Sequence, residues 1–119
     1  AHPEFANKYA TVLAQNEKVK DGLLVLQKTI NEYPKYPAVL SNYGYMLLVN
    51  EGDTAKAMNY YNSALALDPD YEQAILNKVG LLMFTGKTES AKIMLKKFLK
   101  RNPNHPTAKE LITQLNSIE

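Results

Sequence analysis

At 119 residues the chain carries enough sequence for one domain with its own core. Hydrophobic residues make up 45% and charged residues 22%, an ordinary globular composition, and a net charge of +2 is too small to point to nucleic acid or an anionic membrane. The absence of cysteine excludes disulfides and thiolate metal sites, and no apolar run is long enough to span a bilayer.

The first predicted helix runs from about Pro3 to Gln15, with Phe5, Ala6, Tyr9, Ala10, Val12 and Leu13 on one face. Pro3 suits a first helical turn, where its missing N–H costs nothing. A second helix spans about Lys18 to Glu32 and is stopped by Tyr33-Pro34. The next begins at Tyr36-Pro37 and reaches about Val49. Gly52-Asp53 then reads as a turn and a helix start, leading to a helix through Leu67 that places Ala57, Tyr61, Ala64 and Leu65 on one face before Pro69. A fifth helix runs from Tyr71-Glu72 to Phe84, turns at Thr85-Gly86, and is followed by a sixth from Thr88 to Arg101, closed by Asn102-Pro103. His105-Pro106 opens the last helix, which carries Ala108, Leu111, Ile112 and Leu115 on one face. No stretch reads as a strand.

The proline stops are separated by 35 and 34 residues, so the chain repeats itself as stacked helix pairs. The middle pair reads Leu40-x2-Tyr43-Gly44-x2-Leu47, then Ala57-x3-Tyr61, then Pro69. The third offers Ile75-x2-Lys78-Val79-x2-Leu82, Ala91-x3-Leu95 and Pro103; the first offers Ala6-x2-Tyr9-Ala10-x2-Leu13, Gly22-x3-Leu26 and Pro34. This pattern resembles the tetratricopeptide repeat. Ala10 and Gly44 fall where paired helices must approach closely, whereas Lys78, Val79, Gly22 and Ala6 depart from the pattern. The resemblance implies an all-α right-handed solenoid: one domain over residues 1–119, with repeats at about 3–36, 37–71 and 72–105 and a capping helix at about 106–117.

Several chemical readings fall away. Gly86-Lys87-Thr88 copies the end of a phosphate loop, but the earlier glycine is out of register and a helix, not a strand, precedes it. His2 and His105 each precede a proline, as Tyr36 does, and a slot shared by His and Tyr is a packing or turn slot. The acidic clusters sit in turns, where Asp caps helices. Lys92, Lys96, Lys97, Lys100 and Arg101 read as a solvated outer face. No nucleophile, base and metal set converges, so no enzyme activity, cofactor or metal is expected.

The family resemblance implies that the first helix of each pair lines a concave groove. Carried over, the lining is Glu4, Asn7, Lys8, Thr11 and Gln15; then Ala38, Ser41, Asn42, Tyr45, Leu48 and Val49; then Gln73, Leu76, Asn77, Gly80, Met83 and Phe84, with Thr107, Glu110 and Gln114 at the end. Asn42 and Asn77 occupy equivalent places, and an amide can pair with a peptide backbone without reading its side chains. Leu48, Met83 and Phe84 fit the helix-pair core as well as the groove by periodicity alone. The subclass that grips acidic chaperone tails uses Lys, Asn, Asn, Lys and Arg where this chain has Asn7, Thr11, Asn42, Gln73 and Asn77, so that ligand is not expected. The expected partner is a protein or peptide, with neither nucleic acid nor membrane insertion. The alternative is an assembly role, in which the groove or the N-terminal end packs on the parent chain or on a second copy. Phe5, Tyr9 and Val12 form that N-terminal surface, and a start at Ala1-His2-Pro3 suggests a piece of a longer protein.

Overall fold

The computed structural model describes residues 2–117. Among them are seven helices and no strand: α1 (Pro3–Gln15), α2 (Val19–Glu32), α3 (Pro37–Glu51), α4 (Thr54–Leu67), α5 (Glu72–Phe84), α6 (Thr88–Arg101) and α7 (Pro106–Asn116). The helices α2, α4 and α6 each end two residues short of their proline, where the residue ahead of the ring is turned out of helical geometry. The starts of α1, α4 and α7 are capped by side chains. His2 Nδ1 accepts from Glu4 N at 3.2 Å, Asp53 Oδ1 from Lys56 N at 3.0 Å, and His105 Nδ1 from Ala108 N at 3.2 Å. The His-Pro pairs are thus helix starts, with His as the cap and Pro in the first turn.

The turns inside the pairs close by left-handed residues. Gly52 has φ 68° and Gly86 φ 79°, the conformation a glycine adopts without a Cβ penalty. Gly86-Lys87 is therefore a helix-to-helix turn, with Lys87 N reaching back to the Leu82 carbonyl at 2.8 Å. Lys18 N bonds Leu13 O at the same 2.8 Å in the first turn, where Glu17 takes the left-handed place at φ 64°.

The chain forms two compact units, divided between Ala74 and Ile75. In the first, α1 packs on α2, α3 packs on α4, α2 packs on α3, and α1 lies beside α3. Its core gathers Ala10, Leu23, Leu26, Val39, Tyr43, Met46 and Leu47, with a second cluster of Leu40, Ala64 and Ala74. In the first two pairs the helices cross at small residues. A Cβ on Gly44 would stand 3.1 Å from the Ala57 carbonyl oxygen and 3.0 Å from the Tyr61 ring. Gly22 faces Ala10 in the same way, which explains its departure from the alanine of the other two pairs. In the second unit α6 packs on α7, and the Phe98 ring meets the capping His105 edge-on at 5.2 Å. Ala91, Leu95, Phe98, Ala108 and Leu115 are buried there.

Two placements correct the sequence reading. Lys92 is 5% exposed and does not belong to a solvated face with Lys96 and Lys100. Ser41 is fully buried and lines no groove.

Candidate functional site: the first-helix face

On the first unit, α1 and α3 lie side by side and are joined by polar side chains. Asn42 Nδ2 donates to Asn7 Oδ1 at 2.8 Å and to Thr11 Oγ1 at 3.1 Å. The Thr11 hydroxyl donates to the Asn7 carbonyl at 3.0 Å, so its oxygen can only accept from Asn42, and this fixes which way the Asn42 amide points. Both N–H groups of Asn42 are spent on α1. The unspent capacity of the cluster is the Asn42 carbonyl oxygen and the Asn7 amide donors. All three side chains are half-buried. Nearby, Tyr36 OH donates to Glu4 Oε1 at 2.9 Å, and this bond to a carboxylate, with smaller effects of burial and charge, raises the phenol above its usual range.

Tyr45 and Val49, one helical turn apart on α3, are 50% and 61% exposed, and Leu48 between them is half-buried. Lys8 and Gln73 are exposed. In this unit the structure thus brings Asn7, Thr11 and Asn42 into one hydrogen-bonded group and leaves Tyr45 and Val49 open.

In the second unit, Leu76, Asn77 and Met83 are half-buried on α5, and Phe84 is 78% exposed. A Cβ added at Gly80 would meet nothing within 4 Å, so the surface between Asn77 and Phe84 is open. Phe84 is therefore not a core residue of its helix pair.

Sequence reasoning missed a cleft of about 460 Å³ in the first unit. Its floor is the edge-on pair of Tyr43 and Tyr60, 4.8 Å between ring centres, and its rim holds Gln27, Glu51, Lys56, Asn59 and Ser63. These residues come from three helices, and although Tyr43, Leu47 and Glu51 recur every four on α3, no single-helix pattern shows that α2, α3 and α4 bring them together. No group of three or more His, Cys, Asp or Glu among the described residues could hold a metal ion, and no helix there is long and apolar enough to cross a membrane.

Residues 48–115 match the tetratricopeptide repeat family. Mouse protein O-mannosyl-transferase TMTC1 is 30% identical over 113 residues, covering 92% of this chain and 12% of that protein. The protein adenylyltransferase Fic of Aedes aegypti is 38% identical over 45 residues, which is 38% of this chain and 9% of the relative. The chain thus spans only a small part of these relatives. Among solved structures, the first tetratricopeptide domain of Spaghetti (RPAP3) bound to the HSP90 peptide SRMEEVD superposes with a TM-score of 0.87 at 18% identity, covering 98% of this chain and 94% of that one. With more than half of its length inside the family match and its helix pairs in the repeat's own register, the chain belongs to the tetratricopeptide repeat family.

Proposed function

We propose that this chain is a non-catalytic interaction module that holds an extended or helical peptide on its first-helix face. The observation that carries the reading is the Asn42 bridge to Asn7 and Thr11. It presents one acceptor, Asn42 Oδ1, beside the donors of Asn7 Nδ2. A peptide group offers the matching N–H and C=O, whereas a carboxylate would be opposed by Asn42 Oδ1. Tyr45 and Val49 supply exposed apolar surface next to the bridge for a flanking side chain. Asn77 and Phe84 stand on α5 at the same seven-residue spacing as Asn42 and Val49 on α3.

The Spaghetti domain shares the fold and is bound to the HSP90 peptide SRMEEVD. This chain has no Lys or Arg at Asn7, Thr11, Asn42, Gln73 or Asn77, so an acidic tail is a poor match and a main-chain-reading ligand a better one. Calorimetry with a linear peptide selected from a phage-displayed library tests the reading. Asn42→Ala should weaken binding by about 1–3 kcal/mol through lost hydrogen bonds, with Asn7→Ala acting in the same direction. Equal binding by both variants would refute it.

A further inference from the structure

The Tyr43–Tyr60 cleft opens on a different side of α3 from the Asn42 bridge, since Leu47 and Glu51 lie about 140° and 180° round the helix from Asn42. Tyr43 is 8% exposed, yet its hydroxyl has no hydrogen-bond partner among the described residues. No side-chain polar atom sealed from solvent lacks a partner among those residues, so the Tyr43 hydroxyl reaches the open space of the cleft. Burial, with smaller effects of Tyr60 and Glu51, raises this phenol above its usual range and keeps it a neutral donor. The Tyr60 ring meets the Tyr43 ring at 90°, which gives the cleft two aromatic walls, and Leu47 adds an aliphatic one. On the rim, the Ser63 hydroxyl donates to the Asn59 carbonyl at 2.9 Å, which leaves the side-chain amides of Gln27 and Asn59 as neutral donors. Glu51 and Lys56 bring one charge of each sign.

We infer that this cleft binds a neutral, proline-rich peptide segment in the polyproline II conformation. The two rim charges cancel, so a charged ligand gains no net attraction there. The Tyr43 hydroxyl and the Gln27 and Asn59 amides can each donate to a carbonyl. A polyproline II segment makes no internal hydrogen bonds and leaves its carbonyls open, and its prolines bring no N–H that would need an acceptor. Two aromatic rings at right angles can receive pyrrolidine rings, as aromatic-lined grooves do for such segments. The lengths agree as well. From Lys56 to Ser63 the rim runs about 10 Å along α4, and three residues of polyproline II span about 9 Å. The segment is extended before it binds, so little chain entropy is lost. The inference is independent of peptide binding on the first-helix face, which uses the other side of α3.

The probe is acetylated hexaproline amide, titrated into the full chain and followed by two-dimensional NMR. The side-chain amide signals of Gln27 and Asn59 should shift, with those of Asn7 and Asn42 unmoved. Tyr43→Phe keeps the ring and removes only the hydroxyl, and it should weaken binding by about 3- to 10-fold, the loss of one hydrogen bond. Asn59→Ala, at an exposed position, should act in the same direction, while Asn42→Ala should leave the affinity unchanged. A capped Gly-Ser peptide of the same length should bind several-fold more weakly. No shift at Gln27 and Asn59 with millimolar hexaproline, an unchanged affinity in Tyr43→Phe, or equal binding of the Gly-Ser peptide would overturn the inference. So would shifts at the cleft with maltose and none with hexaproline, because the occupant would then be a carbohydrate.

Discussion

Gly22 and Ala10 approach so closely that a Cβ on the glycine would stand 2.8 Å from the Ala10 carbonyl oxygen and 2.6 Å from Met46 Cε. The methionine end can swing aside, but the carbonyl belongs to the α1 backbone and cannot. Gly22→Ala should therefore destabilise by about 1–3 kcal/mol, as overpacking does, although alanine is the better helix former. Gly80→Ala, in the middle of α5 with open space around it, should stabilise by about 0.5–1 kcal/mol. Urea unfolding of the two variants should thus move in opposite directions; a stabilising Gly22→Ala would mean that α1 and α2 are not held this close.

The proline-bounded helices and the small-residue crossings were legible in the sequence because each rests on a local, single-residue constraint. Proline cannot continue a helix, and only Gly or Ala fits a close crossing. The misreading of Lys92 has an equally local cause. Lysines four apart look like one stripe, but each step of four advances about 40° beyond a full turn, so Lys92 lies about 80° from Lys100. That rotation carries it beside Ala91 and Leu95, into the buried side of α6. Ser41 was misplaced because helix periodicity marks an amphipathic face and cannot tell which of two flanks a neighbouring helix covers. The partners of Asn42 on α1 depend on how two helices lie side by side, which no single-helix pattern contains. The Tyr43–Tyr60 cleft was invisible for the same reason.

Glu17 holds φ 64° where the equivalent turn of the third pair has Gly86 at φ 79°. A left-handed residue with a Cβ costs about 1–2 kcal/mol, and glycine's greater freedom in the unfolded chain returns about half of that. Glu17→Gly should raise stability by about 0.5–1 kcal/mol. Thermal unfolding checks it, and a fall in melting temperature would show that the Glu17 side chain contributes more than its backbone costs.

Tyr61 is 1% exposed, and burial, with a smaller effect of Tyr45, pushes its phenol from 10.0 up to about 12. The fold favours the neutral phenol. Its contribution is therefore complete below pH 10 and is lost as pH rises through about 12, a loss of about 2–3 kcal/mol. Burial raises Tyr43 and Tyr71 in the same direction, which steepens the alkaline limb. Tyr61→Phe should move the alkaline unfolding midpoint upward, as followed by circular dichroism, and an unchanged midpoint would remove Tyr61 from the transition.

The most direct test of peptide recognition on the first-helix face is a two-dimensional NMR titration with the phage-selected peptide. The prediction is that the side-chain amide signals of Asn7 and Asn42 shift together with the backbone signals of Tyr45 and Val49. Shifts confined to the Tyr43–Tyr60 cleft or to the Lys96–Arg101 side of α6, with the Asn7 and Asn42 amides unmoved, would contradict it.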